Sequence, residues 1–97
     1  MKIPFPHPGE TLREDFLKPL GLSAYRLAQE LHVPAVRVGE IVRERRGITA
    51  DTALRLGRYF NTSAKFWMNL QVAYDLAVAA ETLTRHIEQE VHPREAG

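Results

Sequence analysis

The chain has no cysteine, no long apolar run and almost no net charge. Without cysteine there is no disulfide framework and no thiolate metal site, and a reducing compartment is permitted, so a cytoplasmic location is expected. No apolar stretch approaches the ~20 residues of a membrane span. The opening MKIPFPHPGE lacks the apolar core of a secretory signal, so no membrane association is expected. The histidines are His7, His32, His86 and His92, and no two stand at the i, i+4 spacing of a helical zinc pair. There is no glycine-rich phosphate loop, and no serine nucleophile has a histidine near it in sequence. Catalysis, a metal centre and a cofactor are therefore not expected. A net charge of +1 means that any basic surface must be local. It is local: Arg37, Arg43, Arg45 and Arg46 crowd one short stretch, against Glu40 and Glu44.

What is present suits one soluble all-α domain spanning residues 1–97, with 44% hydrophobic and 26% charged residues. A chain of 97 residues buries a single modest core, so a second chain would add useful stability. The most organised stretch is LSAYRLAQELHVPAVRVGEIVRERRG, Leu22 to Gly47. Ser23 is a good N-cap, and Leu27, Ala28 and Leu31 follow at helical spacing. Pro34 punctuates the pattern and starts a second helix, whose apolar stripe is Val38, Ile41 and Val42. Two short helices with so brief a joint must cross steeply, which is the helix-turn-helix unit. Ala28 is small where the two helices come closest, and Val33 pins the turn to the core. The stretch resembles the helix-turn-helix of phage-repressor-like DNA-binding proteins, with one departure. His32 occupies the place of the usual turn glycine, where a positive φ is uncommon for non-glycine residues but enriched for histidine.

Around this unit the reading is helical throughout. A proline-punctuated arm, Ile3 to Pro8, precedes a helix from about Pro8 to Leu17 that buries Leu12, Phe16 and Leu17, and Lys18-Pro19-Leu20-Gly21 ends it. After the arginine-rich loop, Thr49 caps a helix from Ala50 to Phe60, packed through Ala53, Leu54, Leu56, Gly57 and Phe60. Asn61-Thr62-Ser63 turns the chain, and Ser63 caps a last helix. From Ala64 to about Glu90 there is neither glycine nor proline. A helix of ~40 Å would result, far longer than a radius of gyration of about 12–13 Å can cover. Phe66, Trp67, Leu70, Ala73 and Tyr74 cover the domain. Beyond them Leu76, Ala80, Leu83 and Ile87 continue an apolar stripe, expected to meet the same stripe on a second chain.

Three further strings complete a resemblance: His7-Pro8-Gly9-Glu10 with Leu12; Gly47 through Leu56, GITADTALRL; and Phe66-Trp67-Met68-Asn69-Leu70-Gln71 with Tyr74-Asp75-Leu76. Together they resemble the HigA/VapI-type antitoxins, repressor-like members of bacterial toxin–antitoxin operons. The likeness covers about residues 5–78, leaving 79–97 as a helix extension and tail. It implies a five-helix, lambda-repressor-like domain with a long C-terminal helix. It also implies a dimeric DNA-binding autorepressor that holds a small mRNA-cleaving toxin in check.

The second helix of the motif is expected in the major groove, with its N-terminal side chains towards base edges. Ala35, Val36, Gly39, Glu40 and Arg43 form its outward face, and Pro34 and Arg37 are expected to contact DNA beside them. Ala35 and Val36 suit thymine methyls, Glu40 a cytosine amino group, and Arg37 a guanine or a phosphate. This is a poor hydrogen-bonding surface. Phosphate contacts fall to Ser23 at a helix N-terminus, with Tyr25 and Arg26 beside it, and to Arg43, Arg45, Arg46 and Thr49 at the other edge. The expected partners are double-stranded DNA carrying an inverted repeat, a cognate toxin and a second copy of the chain. Two other readings share the residues: a protein-interaction module that sequesters its partner while reading little DNA, and a stand-alone regulator.

Overall fold

The computed structural model describes residues 5–95, and every described element is helical. The first rod is continuous but changes pitch twice. It begins as α1 (Pro8–Thr11), widens to a π-helical segment (Leu12–Leu17), and closes as α2 (Lys18–Leu20). It thus runs three residues past the expected end at Leu17. Proline inside an α-helix lacks a donor and presses its ring on the carbonyl four residues back. The wider π turn before Pro19 relieves both problems, and the Lys18 N–H reaches back five residues to the Arg13 carbonyl. A turn of more than four residues also brings Leu12, Phe16 and Leu17 round to one side, where Leu12 and Leu17 are buried and Phe16 packs on Trp67. Of the expected N-terminal arm, Ile3 and Pro4 lie outside the described residues.

The helix-turn-helix forms as α3 (Ala24–Leu31) and α4 (Ala35–Val42), followed by α5 (Ala50–Phe60) and α6 (Ala64–Glu90). The caps fall where short polar side chains predict them. Ser23, Thr49 and Ser63 each accept a backbone N–H from the first turn that follows. Pro34 is the N-cap of α4, in extended backbone, one place before the helix proper. His32 adopts the left-handed conformation, φ 58° and ψ 46°, so histidine does here what glycine does in the usual turn.

The rod and the next three helices finish in the same way. A residue in the left-handed region follows the last turn, and the residue after it donates back across that turn: Leu22 to Leu17, Val33 to Ala28, Arg45 to Glu40, Thr62 to Gly57. The left-handed residues are Gly21, His32, Glu44 and Asn61.

The core is one cluster of Leu12, Leu17, Leu27, Ala28, Leu31, Val38, Ile41, Ile48, Ala53, Leu56 and Trp67. Trp67 is its largest member, and its indole N–H donates to Thr62 Oγ1 at 2.8 Å, so burial leaves no polar atom unpaired. Gly9 allows the rod to touch α4, because a Cβ there would lie 1.8 Å from the Ile41 carbonyl oxygen. Leu54 departs from the expected pattern. It stands about a quarter turn from the Ala53–Leu56–Gly57 face and is 65% exposed, lining a surface groove of about 390 Å³ with Arg58 and Tyr59.

α6 gives the molecule its shape. Its 27 residues span about 40 Å, and the molecule measures 55 × 30 × 22 Å. The radius of gyration is 16.6 Å, against about 12.5 Å for a compact chain of this length. The second half of the helix has left the core behind. No described helix is long and apolar enough to cross a membrane.

Candidate nucleic-acid interface

α4 lies between two helix N-termini. Beside its C-terminal end, Ser23 and Ala24 line a surface hollow with Val42 and Arg13. Near its N-terminal end, Arg37 shares a cavity of about 180 Å³ with Arg46, Gly47, Thr49, Asp51 and Thr52 at the start of α5. The two positively polarised ends thus lie at opposite ends of α4. The Ser23 Oγ accepts the Arg26 N–H at 3.0 Å, which leaves its own proton free to donate outward. Tyr25 and Arg26 are exposed beside it, with Arg26 paired to Glu30 at 3.3 Å. The Thr49 Oγ1 contact to the Thr52 N–H is longer, 3.4 Å.

The side chains on the N-terminal half of α4 fall into two groups. Pro34, Ala35 and Val36 are exposed, and a Cβ built on Gly39 would meet nothing within 4 Å, so this surface is open. The two groups expected to read bases are already engaged. Arg37 donates to Asp51 Oδ2 at 2.8 Å, and Glu40 pairs with Arg46 at 2.7 Å. Asp51 also accepts from Arg55 at 3.0 Å. The hydrogen bond from Arg55, and behind it that from Arg37, holds the Asp51 carboxyl below its ordinary value. Arg43 and Arg45 are exposed and have no ion-pair partner among the described residues.

Asp51, in the first turn of α5 where the helix dipole also favours an acid, therefore belongs to this surface. Its pairing with Arg37 bridges fourteen positions and is visible only once α4 and α5 are packed. Arg13 is a second such residue. From the π turn it donates to the Val42 carbonyl and, at 3.3 Å, to the Glu44 carboxylate. Among the described residues, no group of three or more histidine or acidic side chains is placed to hold a metal ion.

Beyond the core, Leu76, Leu83 and Ile87 are 65%, 46% and 47% exposed, and Ala80 lies open between them. Val72, half exposed, extends the same face one turn back.

Comparison with known proteins places this arrangement. A helix-turn-helix family model matches residues 14–67. Virulence-associated protein I of Dichelobacter nodosus is 61% identical over 80 residues, covering 82% of this chain and 74% of that protein. Among solved structures, the Pseudomonas aeruginosa antitoxin HigA with higBA promoter superposes at a TM-score of 0.90. It is 53% identical and covers 93% of this chain and 98% of that one. The antitoxin GraA in complex with its operator superposes at 0.91 with 44% identity, over 99% of this chain and 95% of that one. Members of this family are antitoxins and transcriptional regulators, not enzymes. The chain belongs to the XRE-type helix-turn-helix family, in the group that holds the HigA-type antitoxins.

Proposed function

We propose that the chain is a cytoplasmic antitoxin that binds operator DNA as a dimer, represses its own operon and neutralises a cognate toxin. The observation that carries the DNA reading is the position of α4. Its open N-terminal surface is flanked by the N-termini of α3 and α5, one beside each end of the helix, as a helix seated in a major groove requires. Unsatisfied N–H groups and the helix dipole favour a phosphate at each edge. Arg43, Arg45 and Arg46 add charge where the backbone would pass. Ala35, Val36 and Gly39 allow close approach, while Arg37 and Glu40 read bases. The solved relatives titled with promoter and operator DNA support this reading, and the antitoxin names support a toxin partner.

Dimerisation rests on the α6 stripe. Leu76, Leu83 and Ile87 are about half exposed, so covering them with the same stripe of a second chain would gain roughly 1–2 kcal/mol for each. A twofold axis there pairs the recognition helices for half-sites about 34 Å apart, an inverted repeat.

The ion pairs on Arg37 and Glu40 favour one competing reading, a module that binds its toxin by contact and reads little sequence. Titration with DNA from upstream of the reading frame and with shuffled DNA separates the two. A dimer that engages roughly six phosphates should lose about a thousandfold in affinity between about 50 and 200 mM salt. It should still prefer its own DNA by about a thousandfold or more. Equal affinity for both sequences would favour the contact-only module.

A further inference from the structure

The four left-handed positions that follow α2, α3, α4 and α5 are not equivalent. Gly21 has no Cβ to strain, Asn61 has the short amide side chain that tolerates this region, and histidine is enriched there. Glu44, at φ 62°, has none of these local excuses, and it lies between Arg43 and Arg45. It is also the one of the four whose side chain is gripped from a distant part of the chain. The Arg13 guanidinium donates through one amino group to the Val42 carbonyl and through the other to the Glu44 carboxylate at 3.3 Å. Its Nε is held by Glu14 at 2.9 Å, and Glu14 is held in turn by Lys18 at 2.8 Å. The rod that carries Arg13 is seated on the same end of α4 by Gly9, against the Ile41 carbonyl.

We propose that Arg13 is the positioning residue of the arginine loop: by pinning Glu44 in the left-handed conformation it fixes the directions in which Arg43 and Arg45 leave the end of α4. The proposal rests on the DNA-binding reading and adds a residue that itself touches no DNA. Two effects run in the same direction. The bond to Val42 satisfies a carbonyl that the end of α4 leaves open. The bond to Glu44 both offsets the unfavourable backbone and neutralises an acid that would otherwise face phosphates from the middle of a basic loop. Without Arg13, the loop relaxes towards ordinary backbone angles and Glu44 turns its charge outward. A lysine cannot replace it, because one ammonium lacks the planar fork that reaches both acceptors.

The test is a double-mutant cycle of Arg13 and Glu44, read as affinity for own-promoter and shuffled DNA across a salt series. Arg13→Ala and Arg13→Lys should each weaken binding about tenfold on both DNAs, a loss comparable to the left-handed penalty of an L-residue, and should flatten the salt slope. Glu44→Gly, which needs no support at φ 62° and carries no charge, should bind within about twofold of the parent or more tightly. In the Glu44→Gly background, Arg13→Ala and Arg13→Lys should lose almost nothing. If Arg13→Ala costs the same factor in both backgrounds, Arg13 is itself a phosphate contact and the proposal fails. If Arg13→Ala and Arg13→Lys bind like the parent with the parent's salt slope, it also fails. Thermal unfolding of each variant establishes that folded protein is compared, and Arg13→Lys serves if Arg13→Ala does not fold. A parent protein that binds neither DNA would overturn the DNA reading instead, a result distinct from either failure.

Discussion

Trp67 and Leu83 belong to one uninterrupted helix, yet the first has no exposed surface and the second keeps 46% of its own. Nothing in the helix itself accounts for the difference. Both halves of α6 carry apolar residues on one side, and neither half contains glycine or proline. The first half runs against α5 and the opening rod, where Phe16 meets Trp67 at 4.8 Å between ring centroids and His7 meets Tyr74 at 4.9 Å. The second half continues because nothing stops it, and it carries its stripe out past the last packed element. Helix length here is set by the backbone, while burial is set by what stands beside it. On the proposed reading, the apolar face that outlasts its core meets the same face of a second copy.

Substitutions in the two halves should therefore act on different equilibria. Trp67→Ala should cost about 3–5 kcal/mol of folding stability, since it empties the centre of the core and strands Thr62; chemical denaturation at fixed protein concentration measures this. Gln71 marks the boundary between the halves. It accepts the Ile48 N–H at 2.6 Å and donates to Asp75 at 2.9 Å, while Gly47 sits so close that a Cβ there would lie 2.9 Å from the amide. Gln71→Leu should cost about 1–3 kcal/mol by leaving the Ile48 N–H buried and unpaired. A cost near zero would mean that water reaches that N–H.

A smaller effect comes from His7. Its Nδ1 accepts the Gly9 N–H at 2.9 Å to cap α1, and the ring is buried against Tyr74. Burial above all, with Arg13 in a lesser role, depresses its pKa below the ordinary 6.5, although Glu44 and Asp75 pull the other way. Below 6.5 the unfolded chain then binds the proton more readily than the folded one. The contribution is fully present above pH 6.5 and drains away as pH falls through the lowered folded value. Stability measured from pH 7.5 down to pH 5 should decline in the parent. The decline should flatten in His7→Asn, which keeps a capping acceptor without a titrating ring. An identical decline in both would assign it to other groups.

The local features of this fold were legible in the sequence because they depend on neighbours. Ser23, Thr49 and Ser63 declare themselves as caps, and His32 declared itself by occupying a glycine's place. The long helix was legible from missing breakers, and its stripe from periodicity. What escaped is tertiary or departs from the ordinary helical period. The π turn that carries the rod through Pro19 does not follow the 3.6-residue repeat, so Leu17 looked like an end. Leu54 sits among core residues in sequence but a quarter turn away on the helix. Nothing in GEIVRERRG announces that Glu44 adopts a positive φ, because its support comes from Arg13, thirty-one positions earlier. The pairing of Arg37 with Asp51 was hidden for the same reason; on the proposed reading, the guanidinium would meet a base already oriented by a carboxylate.

The most direct measurement compares the parent protein with the double variant Leu83→Glu, Ile87→Glu, by light scattering and by footprinting on the promoter. Both positions lie in the half of α6 that contributes nothing to the core, so the variant should unfold cooperatively as a stable monomer. The parent should be a dimer protecting two half-sites about one helical turn of DNA apart (~34 Å), and the variant a monomer protecting at most one. A double variant that stays dimeric and still protects both half-sites would contradict the account.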